Sequence, residues 1–168
     1  TAWWRRSTRA ELSDTDAPTG ACEVWFYHLE RRGLDQVLPE LLTKTLEKGW
    51  RALVRTRDEA SIERLDGLLW TYRDDSFLPH GPTGEPGAAR QPILLTTDMA
   101  NGNDADALFL IDSAEAGELG GYARCVVLFD GDDEAQLAAA RAQWSTLKAT
   151  GAPVSYWKQQ ARGWTKQG

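Results

Sequence analysis

The chain has 168 residues, a hydrophobic share of 42%, a charged share of 26% and a formal net charge of −6. That size suits one ordinary domain with its own hydrophobic core, and the composition is globular rather than disordered. The acidic balance disfavours wrapping nucleic acid unaided, because phosphate neutralisation asks for the opposite sign, and no apolar run nears the roughly 20 residues that span a bilayer.

Residues 1–21 are expected to form a mobile extension, and 22–168 a single domain. The opening Trp3-Trp4-Arg5-Arg6 lacks the apolar core of a secretory leader, so a cytoplasmic setting without membrane contact is expected. Val24-Trp25-Phe26-Tyr27 suits a buried strand. Leu34, Val37, Leu38, Leu41, Leu42 and Leu46 then form a helical stripe. Asp35 is expected to cap it, Gly49 to stop it, and Pro39 to be tolerated only in the first turn. Ala52-Leu53-Val54 is a second strand, and Asp58 caps a second helix built on Ile62, Leu65, Leu68, Leu69 and Tyr72.

From Arg73 to Pro92 a long loop holds four prolines and three glycines, a length that in a compact domain often signals function. Ile93–Leu95, Ala107–Ile111 and Cys125–Phe129 are further strands. Asp132 or Asp133 opens an alanine-rich helix that ends at Gly151, and Val154–Lys158 reads as a last, edge strand. Alternating strands and helices with continuously apolar strands predict an α/β fold. Its expected form is a three-layer α/β/α sandwich with a mostly parallel sheet of about five strands and helices on both faces. About ten residues separate the third and fourth strands, short for a helical parallel crossover, so the orientation of that pair stays open.

Enzyme signatures are missing where they would be needed. The first strand-to-helix junction, His28 to Gly33, has no glycine triplet for a pyrophosphate. Gly81, Gly84 and Gly87 are not followed by the Gly-Lys-Ser/Thr of a nucleotide-binding loop. His80 has Asp74, Asp75 and Ser76 nearby but no activated nucleophile, and is expected to bond to backbone. The spacing of Asp98, Asn101, Asn103, Asp104 and Asp106 does not match a calcium loop and reads as a polar turn. Cys22 and Cys125, far apart and without ligand-type neighbours, are expected as reduced thiols. No catalytic residue, metal or cofactor is expected.

Two features stand apart from this scaffold. Trp70 falls off the apolar stripe of the second helix, and Phe77 follows seven residues on. In the last helix Leu137, Ala140, Trp144 and Leu147 form the apolar stripe, while Arg141, Trp144 and Lys148 share one edge. A cation pair beside an indole can hold a carboxylate against an apolar pocket. Periodicity alone favours the plainer alternative, a core tryptophan with a solvated cationic rim.

The run Leu69-Trp70-Thr71-Tyr72-Arg73-Asp74-Asp75-Ser76-Phe77-Leu78-Pro79-His80-Gly81, followed by Gln91-Pro92-Ile93-Leu94-Leu95, resembles the chi subunit of bacterial DNA polymerase III. The likeness extends from about residue 23 to 158 and includes Phe129-Asp130 and the helix bearing Arg141 and Trp144. It implies a non-catalytic subunit associated with the clamp loader in DNA replication. Such a subunit binds the acidic C-terminal tail of single-stranded-DNA-binding protein, which ends in Pro-Phe, and pairs with a small psi subunit. Carried onto this sequence, the implied tail pocket is Trp70, Phe77, Arg141, Trp144 and Lys148. Leu137 and Ser145 stand where a well-known relative has lysines, so the rim is less basic. Two other classes remain open: a small nucleotide-binding α/β enzyme, and a direct single-stranded-DNA binder using Trp157, Lys158, Arg162, Trp164 and Lys166.

Overall fold

The computed structural model describes residues 22–30, 33–72, 78–117, 119–159 and 164–166. In chain order these form β1 (Glu23–Leu29), α1 (Leu34–Glu47), β2 (Ala52–Arg55), α2 (Glu59–Thr71), β3 (His80–Pro82) and a short 3-10 turn at Ala88–Arg90. They continue with β4 (Ile93–Thr96), β5 (Ala107–Leu110), β6 (Arg124–Asp130), α3 (Glu134–Ala149), β7 (Val154–Gln159) and β8 (Trp164–Lys166). The expected extension at 1–21 lies outside the described residues.

One sheet runs β3-β4-β2-β5-β6-β1-β7-β8. Neighbours are parallel throughout except β8, which runs antiparallel to β7. The mostly parallel three-layer sandwich is therefore as expected, with more strands than the five foreseen. The additions are short: β3 lies in the proline-rich loop and β8 in the tail. Because β8 pairs with it, β7 is an inner strand rather than the edge strand expected.

Side chains alternate between two cores. Tyr27, Leu29, Val54, Val126 and Leu128 face α1 and α2, and Val24, Phe26, Leu53, Cys125, Val127 and Phe129 face α3. Asp58 caps α2 by accepting from Ser61 N at 2.9 Å. Asp133 caps α3 by accepting from Ala135 N and Gln136 N. The start of α1 departs from expectation. Its N-cap is Gly33, without a side-chain cap, so Asp35 lies inside the first turn and Pro39 inside the helix. Pro39 has no N–H to donate to the Asp35 carbonyl, so α1 forgoes one intrahelical hydrogen bond in its second turn.

β4 and β5 are parallel but not adjacent, because β2 lies between them. Crossing one strand and returning along a four-residue strand spans about 16 Å, within the ~33 Å reach of ten extended residues, so no helix is needed. Fully buried Arg55 pins this link. Its guanidinium donates to the carbonyls of Asp98, Met99, Glu115 and Ala116 at 2.8–3.0 Å. The Asn and Asp cluster serves the same link. Asn101 closes on Ala105, Asn103 donates to Ala52 O and Gln91 O, and Asp106 accepts from Arg51 N.

Candidate functional site

α3 lies against β6 and β7 and turns Leu137, Ala140, Trp144 and Leu147 toward the sheet. Trp144 is half-buried. Its ring meets Phe26 edge-on at 5.4 Å and Tyr156 of β7 at 6.0 Å, with interplanar angles of 71° and 83°. Tyr156 also packs on Phe129, and its hydroxyl contacts His28 Nδ1. An aromatic floor thus continues from α3 across β7, β1 and β6.

Cations border that floor. Lys148 Nζ lies 5.5 Å from the Trp144 ring centroid, within cation–π range. Arg141 is exposed one turn before Trp144, and its charge reaches the Tyr156 hydroxyl. Burial raises the Tyr156 pKa first, and the Arg141 field partly offsets that rise. Burial likewise leads the lowering of the His28 pKa, so the imidazole beside Tyr156 favours its neutral form. From Arg141 to Lys148 the helix advances about 10 Å, the length of two or three extended residues. The arrangement can take one ring against Trp144 and Tyr156, with carboxylates on either side.

The structure does not bring all five site residues together. Arg141, Trp144 and Lys148 form one surface. Trp70 sits at the C-terminal end of α2, over β3 and β4, on the opposite face of the sheet. Four inter-strand steps separate β3 from β6, roughly 19 Å laterally, before the thickness of the layers is counted. Phe77 lies outside the described residues. Trp70 is 57% exposed, as its off-stripe position foretold, and tilts over the His80 ring at 5.0 Å. His80 is buried with Nδ1 2.6 Å from Leu78 O, the backbone bond expected of it. Its Nε2 lies 2.9 Å from Asp66 Oδ1, outside hydrogen-bond angles.

Sequence reasoning missed Tyr156 and His28. Strand alternation could have found them, since Val154 and Tyr156 share the face that looks at α3 while Trp157 looks the other way. That same alternation divides the tail residues considered for direct DNA binding. Trp157 packs on Trp25 and Tyr27, whereas Lys158 pairs with Glu30 at 3.4 Å. Arg162 lies outside the described residues.

Comparison with known proteins agrees with the resemblance read from the sequence. A Rickettsia prowazekii protein named "Probable DNA polymerase III subunit chi" is 29% identical over 93 residues, 55% of this chain and 56% of that protein. The Pseudomonas aeruginosa DNA polymerase III subunit chi is 29% identical over 119 residues, covering 71% of this chain and 82% of the relative. The Escherichia coli K12 protein of the same name is 32% identical over 60 residues, 36% of this chain and 41% of its own length. The chain thus spans a little over half the length of the Rickettsia relative. The family described as DNA polymerase III chi subunit, HolC, matches residues 22–155, which takes in β1 through the start of β7, and the chain belongs to that family.

Proposed function

We propose that the chain is a non-catalytic accessory subunit of the bacterial replicase, and that its α3–β7 face holds the acidic C-terminal tail of single-stranded-DNA-binding protein. The observation that carries this reading is the half-buried Trp144, backed by Phe26 and Tyr156 and bordered by Arg141 and Lys148. The terminal phenylalanine ring stacks on the Trp144–Tyr156 floor. Arg141 takes the terminal carboxylate through its two-pronged donor face, and Lys148 takes an upstream aspartate as a point charge. A short tail held this way binds near the micromolar level, about −8 kcal/mol, and gains grip on a coated strand through multivalency.

Trp70 belongs to a second surface in this reading. An exposed tryptophan anchored over a buried histidine suits a protein–protein hot spot. Its separation from α3 lets a psi-type subunit and the tail occupy the chain together. Calorimetric titration with an acidic peptide ending in Pro-Phe tests the tail reading. Binding is expected at low salt, to weaken as salt rises. Absence of binding at low salt refutes it.

A further inference from the structure

Across the sheet from α3, between α1 and the N-terminal ends of β1, β5 and β6, lies a cavity of about 200 Å³. Trp25, Tyr27 and Trp50 form its aromatic walls, and Lys44, Lys48 and Arg124 its charged groups; no Asp or Glu is among its lining residues. In a chain of net charge −6 this is a local reversal of sign. The cations are built into the aromatic wall. The Arg124 guanidinium carbon lies 3.9 Å from the Trp25 centroid and 5.2 Å from that of Trp50. Lys48 Nζ lies 5.2 Å from the same Trp50 ring.

Two cations therefore share one indole, and their charges oppose each other. The Lys48 pKa is lowered by burial first and by Arg124 second. Glu23, which accepts from Trp25 Nε1, offsets this in part from outside the cavity. Arg124 Nε is buried and, among the described residues, has no hydrogen-bond partner. An anion bound here relieves the repulsion.

We infer that this cavity takes one base of a single-stranded nucleic acid, with the adjoining phosphates on Lys44 and Lys48. The volume admits one planar ring system and falls short of the roughly 300 Å³ at which drug-sized pockets begin. Stacking on indole or phenol rings is open to every base, and cations beside the rings follow the backbone. Lys44 in the last turn of α1 and Lys48 at its C-cap are one helical turn apart, about 6 Å between Cβ atoms, which suits successive phosphates better than the single carboxylate of a peptide end. The contact is small, so it assists a strand presented by a partner rather than wrapping one.

The test is fluorescence anisotropy of the full chain with a short labelled oligothymidylate at low salt, in parallel with an acidic peptide ending in Pro-Phe. Wild type is expected to bind the oligonucleotide, with affinity falling as salt rises. Trp50→Ala should weaken it about tenfold, the low end for one lost stacked base. The Lys44→Gln/Lys48→Gln variant should reduce the salt slope by roughly 0.7 per lysine removed. That variant replaces side chains at the cavity rim and decides the matter if Trp50→Ala fails to fold. Arg141→Ala, on the other face, should bind the oligonucleotide as wild type does. No oligonucleotide binding, or binding untouched by the lysine variant, overturns the inference. So does a lysine variant that loses the peptide and keeps the oligonucleotide, since the cavity would then belong to a protein partner.

Discussion

Replacing Arg141 by alanine isolates the charge half of the tail site. The side chain is exposed on α3, so its loss leaves no cavity and no buried group unpaired. Charge-assisted hydrogen bonds contribute about 1.5–3 kcal/mol when desolvated, and exposed ion pairs less than about 1 kcal/mol. A guanidinium beside a half-buried indole lies between these cases. About 1.4 kcal/mol is the expected loss, a tenfold rise in Kd from the micromolar level. Isothermal titration of wild type, Arg141→Ala and Trp70→Ala against the Pro-Phe peptide reads it directly. Salt should weaken wild type more than Arg141→Ala, because the screened pair is missing from the variant. Trp70→Ala, on the opposite face, should titrate as wild type. An unchanged Kd for Arg141→Ala refutes the pocket, and an equal loss in Trp70→Ala refutes the division into two surfaces.

Three further outcomes follow from the scaffold. Arg55→Ala strands four carbonyls that share one buried guanidinium, and should cost about 3 kcal/mol or more in urea unfolding; a midpoint within error of wild type would show that the loops close without it. His28 faces Glu30, Lys158, Asp130 and Asp132, and burial is the leading cause of its lowered pKa. The unfolded chain therefore binds the proton more readily, so the stability His28 contributes is present above about pH 6.5 and is lost as pH falls through that value toward the lower folded pKa. His28→Gln should flatten thermal midpoints between about pH 7.5 and pH 5.5 (about one unit either side of that ordinary value), and an unaltered pH profile would rule His28 out as the cause. Burial pushes the Cys22 thiol up to about 12 and Cys125 well above the ordinary range. Neither should react with a thiol reagent at neutral pH until the chain unfolds, and fast labelling of the native protein would contradict their packing.

The sequence by itself determined the parts of this protein that depend on local chemistry. Apolar periodicity placed the three helices of the described residues, β-rich apolar runs placed the main strands, and Asp58 and the Asp132–Asp133 pair announced the caps because capping is settled within four residues. The edge uniting Arg141, Trp144 and Lys148 was legible for the same reason, since helical spacing is a local property. Asp35 and Pro39 were misjudged, because the helix start at Gly33 has no polar side chain to mark it. The sheet order was beyond local reach, because it depends on which apolar runs find each other across the whole chain. That order places β2 between β4 and β5 and leaves Arg55 buried under the link. It sets Tyr156 and His28 behind Trp144, and it sends Trp70 to the other face. A side chain's partners within a helix are written in its spacing; its partners across the sheet depend on strand order and on the two-residue alternation of β7 and β1, which only the assembled fold supplies.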